Sequence, residues 1–315
     1  MPVVPVYNRC NNACLMCSNP ADLWKRGDYR LARLLRRIKN FRSGKREFQE
    51  GFTDSFMLTG GEPTLHPQLF GLIRGIRSLF PALPIRCQSN GRKFSSREFT
   101  RRFMRLSPHL EVIISLHGST AALHDRVTGR PGSFAQTCRG IANILKEKRP
   151  GQCLELRVVI HRLNHTRLAA IVCFIRRKFQ GVNRLVFIFF EIEGRACQNI
   201  EKLEVSYRQA RPYIEKLVGL IGSFREVRFY HFPLCALPVS LYPYVYCTLP
   251  EWEVAFVSAC RTCRVKEFCL GVPKAYLKHV GRKEFKPVRR AMRFQKGPGR
   301  HHPIARVLGV GEERF

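Results

Sequence analysis

Acid is scarce in this chain: 23 Asp and Glu stand against 55 Lys and Arg, a formal net charge of +32 over 315 residues. Such an excess attracts acidic partners in general, and a solvated basic surface accounts for it as well as a dedicated RNA site does. There is no aromatic RNP string and no GXXG loop with KH-like flanks, so no recognisable RNA-binding module is legible. Long apolar runs are missing too, and a stretch such as Leu185 to Phe190 is far too short to cross a bilayer. No basic-then-apolar leader precedes Cys10, so a cytoplasmic location is expected. There the 13 cysteines stay reduced, and clustered ones point to metal rather than disulfides. The 45% hydrophobic content suits one large core, or a core plus an appended module.

The clustered cysteines begin at once. Cys10, Cys14 and Cys17, in CNNACLMC, have C-x3-C-x2-C spacing, and the next cysteine, Cys87, lies in a run that reads as strand interior. A closed four-thiolate site, zinc or ferredoxin-like, needs a further ligand nearby. Three thiolates on a four-iron cluster instead leave one iron free to bind a small molecule. A second string, Gly60-Gly61-Glu62-Pro63, follows the apolar run Phe56 to Thr59. Its glycines let a backbone approach a ligand without a Cβ in the way, and Glu62 offers an acceptor for an ammonium group. Taken alone, such a string is more often a turn between strand and helix.

Apolar runs alternate with amphipathic stretches, which predicts parallel strands joined by helices. Strands are expected at Val3 to Tyr7, Phe56 to Thr59, Ile85 to Ser89, Val112 to Leu116, Leu154 to Ile160 and Leu185 to Glu191. Helices are expected around Leu31 to Lys39, Gln68 to Ser78, Ser96 to Leu106, Phe134 to Glu147, Arg167 to Phe179 and Tyr207 to Leu220. Ser95 and Glu98 stand at capping-box spacing at the start of the third helix.

The cysteine triplet and the GGEP string together resemble the radical S-adenosylmethionine (SAM) superfamily. The resemblance implies a partial (β/α)6 TIM-type barrel over residues 1–230, with chemistry at the carboxyl ends of the strands. It implies that Cys10, Cys14 and Cys17 hold a [4Fe-4S] cluster that binds SAM. It further implies that the loop Gly60, Gly61, Glu62, Pro63 holds the amino end of SAM, and that Met16, where most members carry an aromatic, lies by the adenine. Ser115 matches a position that contacts the ribose or carboxylate, with Asn164 helping from the next strand. Asn90, before Gly91, reads as turn chemistry. His117, His124 and Asp125, in SLHGSTAALHDRVTG, resemble an architectural stretch of the family, so no catalytic side chain is assigned.

Beyond the barrel the chain stops looking like sheet and turns cysteine-rich. Cys260, Cys263 and Cys269 form a C-x2-C-x5-C clip, and Cys235 or Cys247 supplies a fourth ligand for zinc or iron–sulfur. The clip followed by Gly271 resembles the auxiliary-cluster extensions, SPASM and twitch, of radical SAM peptide maturases, which implies a second [4Fe-4S] cluster in residues 231–281. The strings FFEIEGRA, HFPLCALP and TLPEWE resemble the His-Xaa-Ser system maturase, whose PLC-type position corresponds to Cys235. The chain departs from that subfamily at SLHGST and in the single glycine after Cys269. Residues 282–315 are expected to form a basic tail of little regular structure: Lys278 to Arg306 holds ten Lys or Arg, one acid and several Gly and Pro.

The function implied is reductive cleavage of SAM to a 5′-deoxyadenosyl radical that abstracts hydrogen from a substrate. That substrate is expected to be a ribosomally made peptide or protein, with a flavodoxin- or ferredoxin-type electron donor and no membrane. The alternatives are a radical SAM enzyme that modifies RNA and a non-enzymatic metal-binding module.

Overall fold

The computed structural model describes residues 3–20, 29–42, 55–299 and 301–308. Its centre is one parallel sheet of eight strands in sequence order. The strands are β1 (Val3–Tyr7), β2 (Phe56–Gly60), β3 (Ile85–Ser89), β4 (Leu110–Ser115), β5 (Cys153–Ile160), β6 (Arg184–Phe189), β7 (Glu226–Tyr230) and β8 (Val245–Tyr246). Each pairs in parallel with the next, and the order begins at β1 and ends at β8, a partial barrel rather than a closed one. Helices α1 (Leu31–Arg42), α2 (Leu69–Leu79), α3 (Arg97–Met104), α4 (Ala121–Thr128), α5 (Ser133–Glu147) and α6 (Leu168–Lys178) make the first crossovers. After β6 come α7 (Gly194–Gln198), α8 (Ile200–Leu203), α9 (Tyr207–Glu215) and α10 (Val218–Ile221).

Six expected strands sit where the sequence put them, within two residues at either end. The sheet has two more. β7 carries Glu226 and Arg228 within five residues, and β8 is two residues long, so neither forms an apolar run. Because β8 belongs to the large sheet, the sheet runs on past residue 230 into the segment expected as a separate extension. The third helix is capped by Ser96, whose side chain accepts from the Phe99 amide, because Lys93–Ser95 form a 3-10 turn. The helix expected through Leu220 breaks after Glu215.

Period-two alternation sorts the strands' two faces. On β5, Leu154, Leu156, Val158 and Ile160 pack into the core with the helices, while Glu155 and Arg157 join a charged network across the other face. Fully buried Glu155 pairs with Arg157 at 2.5 Å, Arg184 at 2.9 Å and Arg86 at 3.3 Å, and Arg184 reaches Glu226 at 2.7 Å. Burial raises the Glu155 carboxyl, and the arginines, Arg157 foremost, outweigh this and hold it down at about 2. Arg184 and Glu226 open their strands, so the network sits at the end of the barrel away from the cysteine loop.

Past the barrel lie the short pair β9 (Val254–Ala255) and β10 (Val272–Pro273), then α11 (Lys274–His279). The basic tail is not shapeless: β11 (Arg293–Gly299) and β12 (His302–Leu308) form an antiparallel hairpin. Fully buried Ile304 and partly buried Phe294 anchor it on the core, and His302 stacks on Tyr246 of β8 at 4.4 Å. Tertiary packing here overrides a local composition that reads as loop.

Candidate active site

The cysteine loop follows β1, so the strand delivers Cys10, Cys14 and Cys17 to the carboxyl end of the barrel. The loop is pinned from several sides. Ala13 and Leu15 donate their amides to the Thr128 and Val127 carbonyls at the end of α4 (2.8 and 2.9 Å). Arg92 donates to the Asn11 carbonyl and to Asn12 Oδ1. Asn90 Nδ2 donates to Asn11 Oδ1 at 2.6 Å and lies 3.9 Å from Cys10 Sγ, which also accepts from the Asn12 amide at 3.4 Å. Burial pushes the Cys10 and Cys14 thiols up to about 11 and 12, so a metal bound there must displace tightly held protons.

The GGEP loop packs directly against this one. Gly61 and Glu62 donate their amides to the Tyr7 and Arg9 carbonyls (2.7 and 2.8 Å), and Asn19 Nδ2 donates to the Gly60 carbonyl at 2.8 Å. A Cβ on Gly60 would stand 2.2 Å from the Tyr7 carbonyl oxygen, at φ +135°, and one on Gly61 2.4 Å from that of Arg9. The glycines are therefore required by the approach of two loops. Glu62, 1% exposed, accepts from the Thr64 amide and hydroxyl, the Ser89 hydroxyl and the Asn90 amide. Its side chain holds the ends of β2 and β3 together, three of the donors meeting Oε1 and the Asn90 amide alone meeting Oε2. Pro63 begins the 3-10 turn that Glu62 caps.

The other expected contacts divide. Ser115 ends β4 half-buried, and no described residue bonds its hydroxyl. Met16 is partly buried against the core. Asn164 is fully buried: Oδ1 accepts from the His161 amide at 3.0 Å, while Nδ2 donates to the Val159 and His117 carbonyls at 2.8 and 3.4 Å. These bonds brace its own turn. Asp125 takes the amides of Gly132 and Phe134 and the Ser133 hydroxyl, each at 2.7 Å, an architectural role at the start of α5. Asn90 does serve the turn, its Oδ1 accepting from the Arg92 amide at 3.0 Å, and its Nδ2 also ties β3 to the cysteine loop, a contact of which spacing alone gives no sign.

A second group of thiols forms away from this mouth. Cys235, Cys260, Cys263 and Cys269 line one cavity of about 360 Å³, mouth included. Cys269 Sγ accepts from the Leu234 and Gly271 amides, and Cys263 Sγ from the Val288 amide, all at 3.4 Å, donors suited to thiolate sulfur. Cys247 is not in that lining: it packs with Val254 and Leu270, its amide bonded to the His301 carbonyl. Among the described residues, no three His, Cys, Asp or Glu are grouped to hold a single metal ion. Among them, too, no helix is long and apolar enough to cross a membrane.

This arrangement has a counterpart in known proteins. The model of the radical SAM superfamily matches residues 4–175, more than half of the chain. The chain belongs to the radical SAM superfamily. Among solved structures, this radical SAM chain is similar to Streptococcus suis SuiB bound to S-adenosylmethionine (16% identity, TM-score 0.54, covering 82% of this chain and 55% of that one). It is similar also to SuiB bound to its precursor peptide SuiA (13%, TM-score 0.56, 91% and 61%). A third likeness is to anSMEcpe with bound AdoMet and Cp18Cys peptide (18%, TM-score 0.51, 72% and 62%). At these identities the likeness is one of fold, and the chain spans little more than half the length of the SuiB chains. A comparison with curated protein sequences finds no match.

Proposed function

We propose that the protein is a radical SAM enzyme whose substrate is a ribosomally made peptide or protein. The observation that carries this reading is the loop of Cys10, Cys14 and Cys17, three thiols at a barrel mouth, braced from β2, β3 and α4, with no fourth cysteine in the same loop among the described residues. These cysteines would hold the [4Fe-4S] cluster. When bound, cluster and SAM supply a 5′-deoxyadenosyl radical that takes a hydrogen atom from the substrate. The chain's own part is to fix the loop, exclude water and place the reacting carbon. SAM would meet the backbone of Gly60 to Pro63, the side chain of Met16 and the free hydroxyl of Ser115.

Cys235, Cys260, Cys263 and Cys269 would hold the second cluster, since their thiols share one cavity and two of the sulfurs already accept backbone amides. The peptide substrate is supported by the fold likeness to SuiB in complex with its precursor peptide, and the basic surface suits an acidic partner. A flavodoxin- or ferredoxin-type protein would donate the electron. The test is anaerobic incubation with SAM and dithionite: wild type forms 5′-deoxyadenosine and the Cys14→Ala variant forms none. Absence of product from wild type carrying a full N-terminal cluster would overturn the reading.

A further inference from the structure

In a chain so rich in Lys and Arg, one cavity is walled by acid. It holds about 660 Å³, mouth included, and its charged lining is Glu191, Glu193 and Glu253 against Lys274, with His231 and Trp252 beside them. Glu191 and Glu193 follow β6 and His231 follows β7, so these residues stand at the same end of the barrel as the cysteine loop. The two are contiguous. A Cβ on Gly194, the residue after Glu193, would come 2.2 Å from the Asn19 carbonyl oxygen, and the Ala196 amide donates to the Cys17 carbonyl at 3.0 Å. Trp252 and Glu253 come from the segment beyond the barrel, which completes the far wall.

The acid here is unbalanced. Among the described residues Glu193 and Glu253 have no basic partner, and the only one Glu191 has is His231, at 3.6 Å. Burial pushes the Glu193 and Glu253 carboxyls up, and the neighbouring glutamates add to it. An independent observation points the same way. The His231 side chain is 9% exposed. Its Nδ1 lies 3.3 Å from the Phe189 carbonyl, which turns Nε2 to the opposite side of the ring, and no described residue bonds that nitrogen. The ring is held by a left-handed backbone (φ 66°) and by the Tyr207 hydroxyl, which donates to the His231 carbonyl at 2.8 Å. Trp252, 65% exposed, offers an aromatic face to an aliphatic stem or a cation.

We propose that this cavity seats a cationic side chain of the substrate, of lysine or arginine type. The carboxylates take the charge, Trp252 packs the stem, and His231 Nε2 meets a polar group of the same residue. The inference rests on the peptide reading above and sharpens it: the substrate is acidic enough overall to meet a basic surface, and presents a basic residue at the barrel mouth.

The experiment follows Trp252 emission in the full chain carrying Trp24→Phe, titrated with Nα-acetyl-lysine amide, Nα-acetyl-arginine amide and the neutral isostere Nα-acetyl-norleucine amide. The expected result is a saturable change with at least one cationic probe and none with norleucine. Glu193→Gln and Glu253→Gln, at side chains open to the cavity, should each weaken it about tenfold with the circular dichroism spectrum unchanged. An equal response to norleucine, no response to either cationic probe, or responses unmoved by both substitutions would overturn the proposal. The titration needs neither SAM nor turnover. Its failure therefore leaves the deoxyadenosine assay to stand or fall separately, and a positive titration with no peptide turnover would discredit the peptide reading alone.

Discussion

Glu62 holds more of the barrel mouth together than any other side chain described here, with four hydrogen bonds from β3 and its own turn onto one buried carboxylate. Burial raises its carboxyl above the ordinary range, and the donors pull it back without cancelling that. Replacing it with alanine strands four donors, so Glu62→Ala is expected to cost roughly 3 kcal/mol of stability, read by urea denaturation of the apoprotein. Asn90 acts on the cysteine loop itself. Asn90→Ala should keep the fold, release iron to a chelator about tenfold faster and make the cluster's midpoint potential more negative, since a donor near Cys10 sulfur is lost. At this scale the sequence was legible by residue type and opaque by role. The cysteine triplet and the glycines announce themselves by spacing. That Glu62 joins β2 to β3 and Asn90 reaches across to the cysteine loop follows from contacts between segments dozens of residues apart, which local pattern does not encode.

Among the elements, β5 shows how the barrel manages charge. The sequence placed the strand at Leu154 to Ile160 without sorting its faces, and Glu155 and Arg157 form the centre of a buried network on the face away from the helices. Glu155→Gln leaves Arg86, Arg157 and Arg184 short of a counter-charge, and a loss of about 3–5 kcal/mol is expected at neutral pH. The sign of its pH dependence follows from a folded pKa of about 2, below the unfolded value of about 4.3. The contribution of Glu155 is fully present above the unfolded value and is lost as pH falls from about 4 to about 2. The stability gap between wild type and Glu155→Gln, measured by denaturation at a series of pH values, should therefore narrow across that window. β7, β8 and the tail hairpin were missed because strands that are short, charged or rich in Gly and Pro carry no apolar run. They form because a neighbouring element supplies the packing, as Tyr246 does for His302.

For the whole molecule, the proposed chemistry needs two thiol sites, one at the barrel mouth and one in the cavity lined by Cys235, Cys260, Cys263 and Cys269. Spacing left Cys235 and Cys247 as alternatives for the fourth ligand; Cys235 shares one cavity with all three clip cysteines, whereas Cys247 lines another with Cys263 and Cys269 but not Cys260, which favours Cys235. Cys235→Ala is expected to lower the iron content by about four per chain, whereas Cys247→Ala should leave it unchanged. The measurement that bears most directly on the central claim is anaerobic reconstitution. Iron and sulfide are counted on wild type and on the Cys10→Ala, Cys14→Ala, Cys17→Ala variant, and 5′-deoxyadenosine is assayed after reduction with SAM. About eight irons falling to about four in the variant are expected, with deoxyadenosine from wild type alone. An unchanged iron count in the variant, or no deoxyadenosine from fully loaded wild type, would contradict that claim.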